Sequence, residues 1–366
     1  MKAMNRFVLL LSGLCLLSGV ARADLIDSQR ADLARIFKKV TGFKLNENLK
    51  VYPDLKASFE TLGPEKFAES LTQTKAFEST RLMSFVSKFS QRETEPNFAV
   101  TDDIQTTLLG YIVNDEDFRL SLTGGHTYSR YNNGFAILGP NAFPLKKKLE
   151  KSDGNKVTRD GIQGTNRFAA MNYTGGTNRR QIKYIFEKFL CTPIDHWKNP
   201  VLSNYFIRMD IDRNPGKDST IFEGQCRSCH APMDAMAGAH VNYNDRGGTE
   251  KSPQAKTLNF LKSNVDGGVQ GNAPIDNYWM NLLTTPKDMA YFGWRGPENG
   301  FGAHSFGEEI TNSKRFQLCM VQRVEKELCD SPVSEQESGR LAMAFEQSKY
   351  NLRTLFATVA LSRECK

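Results

Sequence analysis

The chain has 366 residues, of which 39% are hydrophobic, 24% charged and 10% aromatic, with 24 Phe. That is ample material for a packed core, and it excludes both wholesale disorder and a minimal carrier that is nothing but a cofactor cage. The formal charge of +7 falls to about +4 once Lys2, Arg6 and Arg22 are discounted, and basic residues are interleaved with acidic ones, so no nucleic-acid footprint is present.

Residues 1–23 read as a signal peptide: a positive Met1 to Arg6, an apolar Phe7 to Val20, then Ala21-Arg22-Ala23, with cleavage before Asp24. The apolar stretch of 14 residues is short of the roughly 20 that a membrane span needs. Cys15 follows Leu14, whereas lipid attachment wants a small residue there. No later stretch is long or apolar enough to cross a bilayer. The expectation is a periplasmic or otherwise exported protein, without a membrane span after cleavage, in an oxidising compartment.

From Ser28, Leu33, Ile36, Phe37 and Val40 recur at helical spacing and stop at Gly42. Pro64 stands where a first helical residue should, ahead of Phe67 and Leu71. Thr101 followed by Asp102 and Asp103 starts a helix carrying Ile104, Leu108 and Ile112. Residues 24–120 are therefore expected to form a helical N-terminal domain. From 121 to 175, Gly124-Gly125, Asn132-Asn133-Gly134, Gly161, Gly164 and Gly175-Gly176 break long periodicity, which predicts a loop-rich linking region with short strands. The compact Lys146-Lys147-Lys148 cluster within it reads as solvated surface. Gly164-Thr165-Asn166-Arg167 recurs as Gly176-Thr177-Asn178-Arg179, too short a match for a repeat.

Thr177 opens another helix, with Ile182, Ile185, Phe186 and Phe189 on one face and Cys191-Thr192-Pro193 at its end. A loop-rich passage is expected from about 244 to 307, and three helices close the chain near 308–328, 335–347 and 350–362.

Cys226-Arg227-Ser228-Cys229-His230 is a C-x-x-C-H. Two thiols three residues apart on one turn reach the two vinyl groups of a haem, and the adjacent imidazole supplies an axial nitrogen from the same face. A disulfide between the two thiols leaves His230 unexplained. A thioredoxin-like pair needs a βαβ context that the Asn/Gly/Asp-rich surroundings lack, and zinc wants a second ligand pair, whereas Cys319 and Cys329 are ten apart. The motif predicts one covalent haem c on Cys226 and Cys229 with His230 as proximal ligand. It sits in a C-terminal cytochrome-c-like helical domain, residues 176–366, with long loops. The expected fold is mainly α.

The run His230-Ala231-Pro232-Met233-Asp234, with Tyr243-Asn244 beyond it, resembles a family of uncharacterised exported bacterial cytochrome-c-like proteins with a single C-x-x-C-H. Asp117-Phe118-Arg119, Gly176-Thr177-Asn178-Arg179, Trp279-Met280-Asn281, Gly293-Trp294-Arg295 and the Phe316-to-Cys329 stretch are similar to the same family, so the likeness covers most of the chain after about residue 95. It implies haem attachment at Cys226, Cys229 and His230 and no particular reaction. Ala235 departs from it, standing where relatives often have Pro.

The sixth iron ligand must come from the opposite face of the ring. Met233 spans only about 10 Å from His230 at full extension, too little to round the macrocycle, and Met236 is only slightly better placed. His240 reaches further. Met280 and Met289 lie 50 and 59 residues on, where mono-haem cytochromes by analogy supply a loop methionine. Met289, between Pro286-Lys287-Asp288 and a Gly-rich loop, is the favoured ligand, while Met280, beside Trp279, reads more like core. His126, His196 and His304 read as ordinary surface or loop histidines.

Four further cysteines, Cys191, Cys319, Cys329 and Cys365, allow two disulfides. Ten residues of helix between Cys319 and Cys329 rise about 15 Å, beyond disulfide reach. If the last three helices run up, down and up, Cys329 pairs with Cys365 and Cys191 with Cys319; free buried thiols are the alternative. The expected activity is single-electron transfer with an unidentified redox partner protein, rather than catalysis. A haem enzyme or a gas or peroxide sensor with an open iron position is the competing class, and a binding or scaffold protein with structural haem is a third.

Overall fold

The computed structural model describes residues 27–90, 102–129, 146–148, 160–172, 179–203, 205, 207, 211–240, 264–266, 269–271 and 277–366. The expected export signal with Cys15, the helix start at Gly176-Thr177-Asn178, and Tyr243-Asn244 lie outside the described residues. The fold is mainly α, as the periodicity predicts. Antiparallel pairs join Thr127–Ser129 to Lys146–Lys148, Asn264–Asp266 to Val269–Gly271, and Tyr278–Met280 to Asn299–Phe301, the last with Trp279 opposite Gly300. Among the described residues no helix is long and apolar enough to cross a membrane.

The chain divides into two compact units: Met1–Phe85 with Val321–Lys366, and Val86–Met320. The divisions fall inside the helices Met83–Ser90 and Lys314–Leu328. Packing therefore does not group the chain by the linear partition at 120 and 176, because the closing helices find their apolar partners on the first ones.

In the first unit, Asp27–Thr41 buries Leu33, Ile36, Phe37 and Val40 along one stripe. Gly42 ends it at φ 77°, its N–H donating to Lys38 O at 2.8 Å, a left-handed turn that glycine takes without a Cβ penalty. The stretch Tyr52–Thr72 is interrupted at Gly63 (φ 73°, ψ 169°), so Pro64 begins a fresh helix, and Phe59 and Phe67 meet edge to face across the break, 5.3 Å apart. Phe356, on Leu352–Leu361, receives Phe77 and Phe85 edge-on at 5.0 and 5.5 Å. Buried Arg353 pairs with Glu78 at 3.1 Å. Helix Glu335–Gln347 is capped by Ser334, whose hydroxyl accepts from Glu337 N–H at 3.2 Å.

In the second unit, Asp102 rather than Thr101 is the cap of Asp103–Val113, its carboxylate accepting from Gln105 N–H at 2.9 Å. Helix Arg179–Phe189 buries Ile182, Ile185, Phe186 and Phe189. Phe186 lies against Trp197 at 4.0 Å and Phe292 at 5.7 Å, and Phe292 stacks on Trp294 at 4.5 Å. Two expectations are corrected. The span 308–328 is two helices, Gly302–Thr311 and Lys314–Leu328, because the Ser313 hydroxyl accepts from Phe316 N–H at 3.1 Å and restarts the chain. The passage expected as loop from 244 to 307 contains the helix Pro286–Phe292, started by Thr285 with Pro at its first position and ended by left-handed Gly293.

Cys191 and Cys319 are bridged, with Cα atoms 5.2 Å apart, as are Cys329 and Cys365 at 4.9 Å. These are the two pairs expected if the last three helices run up, down and up. The first closes a separation of 128 residues within the second unit, the second a separation of 36 within the first. Replacing Cys329 and Cys365 together by Ser is expected to remove about 2–5 kcal/mol of stability. Urea unfolding without reductant measures this; coincident midpoints for variant and native protein contradict a stabilising bridge.

Candidate functional site

Local irregularities set the motif in place. Phe222–Cys226 is a π-helical turn, and Arg227–Met236 continues from it as an α-helix with Cys226 at the N-cap position. Cys226, Cys229 and His230 stand at i, i+3 and i+4 and so share one helix face. Pro232 lies inside this helix and has no N–H for Ser228 O, four residues back. That carbonyl accepts instead from Asn199 N–H at 3.1 Å. Arg227 reinforces the same contact, donating to Pro200 O and pairing with Glu223 at 2.9 Å. The turn Ile194–Trp197 packs against the motif helix.

Cys226 and Cys229 are both free and half-buried, whereas the other four described cysteines are paired. Burial pushes the Cys229 thiol up, against the opposing influence of its Ser228 hydrogen bond and of Lys198. A dithiol reductase needs the opposite shift. Cys226 packs on a small apolar cluster of Ile207, Phe222 and Ala231, joined by Leu202 and Ile211. Two unpaired thiols, an adjacent imidazole and an apolar wall are a donor set and surface suited to a porphyrin.

His230, with 23% of its side chain exposed, holds Nδ1 3.9 Å from Asp234 Oδ2. The Asp234 side chain is wholly buried and gripped by Arg179, Nε on Oδ1 and Nη2 on Oδ2 at 3.0 Å. The helix Arg179–Phe189 thus supplies the counter-charge for the motif helix against which it packs.

No family model, curated protein or solved structure matches the chain. The functional reading rests on the residues and their arrangement.

The three candidates for a sixth ligand sit in different settings. His240 is fully buried, between Phe168 and Phe306. Its Nε2 is 2.7 Å from Gln163 Oε1, while the Gln163 amide nitrogen donates to Leu122 O and Ala303 O. That network assigns the proton to His240 Nε2, and burial pushes the imidazole down to about 3. Met280 is half-buried at the end of the strand Tyr278–Met280, which packs against the motif helix. Met289, 37% exposed, lies on Pro286–Phe292. Met233 and Met236 are buried along the motif helix.

The remaining histidines have local partners. His126 bonds Glu116 Oε2 at 3.1 Å, and Glu116 also accepts from the Tyr128 hydroxyl. His304 lies 3.3 Å from Asp160 and 3.7 Å from Glu308, and His196 faces the Tyr291 ring.

Sequence reasoning missed the Asp234–Arg179 pair and Asn199. The i, i+4 spacing of His230 and Asp234 is a signal for the first member; a partner 55 residues away leaves none.

Next to Met280, Asn281 donates its amide to Glu309 Oε1 at 2.7 Å. Gly296 is required beside it, since a Cβ there would fall 2.4 Å from Glu309 Cα. Burial pushes the Glu309 carboxyl up to about 7, with Glu298 adding to the shift and the Asn281 and Gly296 hydrogen bonds opposing it. A carboxyl whose folded value lies above its unfolded one favours the folded state fully below about pH 4.5 and loses that contribution as pH rises to about 7. This costs roughly 2–3 kcal/mol across the window. Glu309→Gln is expected to flatten stability between pH 4.5 and 7.5, measured by urea midpoints; an unchanged slope contradicts the assignment.

Proposed function

We propose that the protein is an exported c-type cytochrome, carrying one covalent haem on Cys226 and Cys229 with His230 as proximal ligand and passing single electrons to a redox partner protein. The observation that carries this reading is the placement of two unpaired thiols and an imidazole on one helical turn, in a chain whose other described cysteines are disulfide-bonded. The two disulfides fit an oxidising compartment such as the periplasm.

Cys226 and Cys229 would hold the haem through one thioether each, an attachment that requires no net oxidation. Ile207, Phe222 and Leu202 offer the apolar wall against which a macrocycle loses water. His230 presents Nδ1 to Asp234, which leaves Nε2 as the iron donor. The bound haem supplies an iron that changes oxidation state by one electron. Partial exposure of Cys226, Cys229 and His230 would leave the group they hold within reach of a partner.

For the opposite ligand, the surroundings favour Met280 over Met289, because its strand packs against the motif helix. His240 is the weaker candidate, since its Nε2 is committed to Gln163 in the core.

Two outcomes are expected. In a host competent for cytochrome maturation, the native protein retains a haem stain after denaturation and reduction, Cys226→Ala or Cys229→Ala loses most of it, and the double variant loses all; native protein that is colourless, with both sulfurs free or joined, overturns the reading. In the ferric holoprotein, the methionine-sulfur-to-iron absorption band disappears in Met280→Ala and persists in Met289→Ala. The reverse pattern reinstates Met289, and a band present in both variants dismisses the two methionines.

A further inference from the structure

We infer that Asp234, held by Arg179, is the positioning residue that orients His230 and sets its strength as an iron donor; this rests on the haem reading of residues 226–230. Asp234 follows His230 by one helical turn, and its carboxylate is wholly buried with Oδ2 3.9 Å from Nδ1 of the imidazole. A buried carboxylate must be compensated, and here a single guanidinium engages both oxygens, Nε on Oδ1 and Nη2 on Oδ2 at 3.0 Å.

Such a pair is a poor device for stability alone, because well-packed apolar residues in its place are often as stabilising or more so. Its position supplies another reason. Oδ2, the oxygen that accepts from Arg179 Nη2, is also the one nearer the imidazole, and a carboxylate oxygen has capacity for a second donor. The present 3.9 Å is a close approach, longer than a hydrogen bond. With Nε2 holding a metal, a small rotation of the His230 side chain would close this to Nδ1–H···Oδ2.

A ligating histidine that gives its second N–H to a carboxylate is fixed in tautomer and ring orientation and becomes a more basic donor. A more basic donor favours the ferric over the ferrous ion, so Asp234 lowers the potential. Arg179 works against it by withdrawing electron density from the same carboxylate. The two residues therefore act on the potential with opposite signs, which separates this role from a merely structural one.

The test uses the full-length holoprotein, reading covalent haem content, midpoint potential, and the nuclear resonance of the His230 Nδ1 proton in the ferrous state. Asp234→Asn is expected to keep its haem, raise the potential and move the proton signal upfield, because a neutral amide oxygen is the weaker acceptor. Arg179→Gln is expected to lower the potential and move the signal downfield, with Arg179→Lys returning both toward native values. Haem-loaded variants whose potentials and proton signals stay at native values, or shift in the same direction, overturn the inference while leaving haem attachment intact. Should Asp234→Asn fail to fold, the two Arg179 variants decide alone, and equal potentials in Gln and Lys overturn it. Native protein lacking covalent haem is the separate outcome that overturns the underlying reading.

Discussion

Pro232 has no N–H to give the carbonyl of Ser228, and the arrangement around the motif depends on what fills that vacancy. A carbonyl left unpaired at a buried position costs about 1–3 kcal/mol, and Ser228 is buried. Asn199 N–H supplies the bond, which draws the segment that begins at Ile194–Trp197 onto the motif helix. Trp197, at the end of that turn, is locked against Phe186 and donates its indole N–H to Thr192 O at 3.3 Å. A single missing backbone donor thus couples the C-x-x-C-H turn to the aromatic core of the second unit. For the proposed redox role such anchoring would count, since a site that holds its ligands fixed reorganises less on electron transfer.

The second unit also holds several polar groups inside its core, each compensated differently. Asp234 is met by the full charge of Arg179, His240 by the neutral amide of Gln163, and Glu309 by the amide of Asn281. The consequences follow from the partner. An amide does not fully offset desolvation, so the Glu309 carboxyl rises to about 7 and the His240 imidazole falls to about 3. The ion-paired carboxylate is the one beside the imidazole of the motif.

What could be read in the sequence was local. The C-x-x-C-H spacing, the Pro64 start, the Leu33-to-Val40 stripe and the exclusion of a Cys319–Cys329 bridge all depend on contacts within a few turns of one helix. Cap choice was ambiguous where two good caps adjoin, as with Thr101 and Asp102, and the helix Pro286–Phe292 was hidden because its Gly and Pro neighbours are equally at home in loops and at helix ends. The break at Ser313 was missed because the apolar periodicity runs through it. Apart from the cysteine pairs, long-range contacts were out of reach: nothing near Phe356 announces Phe77 and Phe85 as neighbours, nor does Arg179 announce Asp234.

The state of the cysteines supports the proposed covalent group. Residues three apart on a helix have Cα atoms about 5 Å apart, within the span that a disulfide tolerates. In an oxidising compartment, neighbouring thiols left unmodified are exposed to exchange with the disulfides around them. Cys191 and Cys319, though 128 residues apart, are joined, while Cys226 and Cys229, three apart and half-exposed, are not. On the proposed reading, two thioethers would occupy both sulfurs and protect them from oxidation, without demanding a metal in which thiolates are ligands. The adjacent imidazole then has a purpose that neither a disulfide nor a pair of idle thiols would give it.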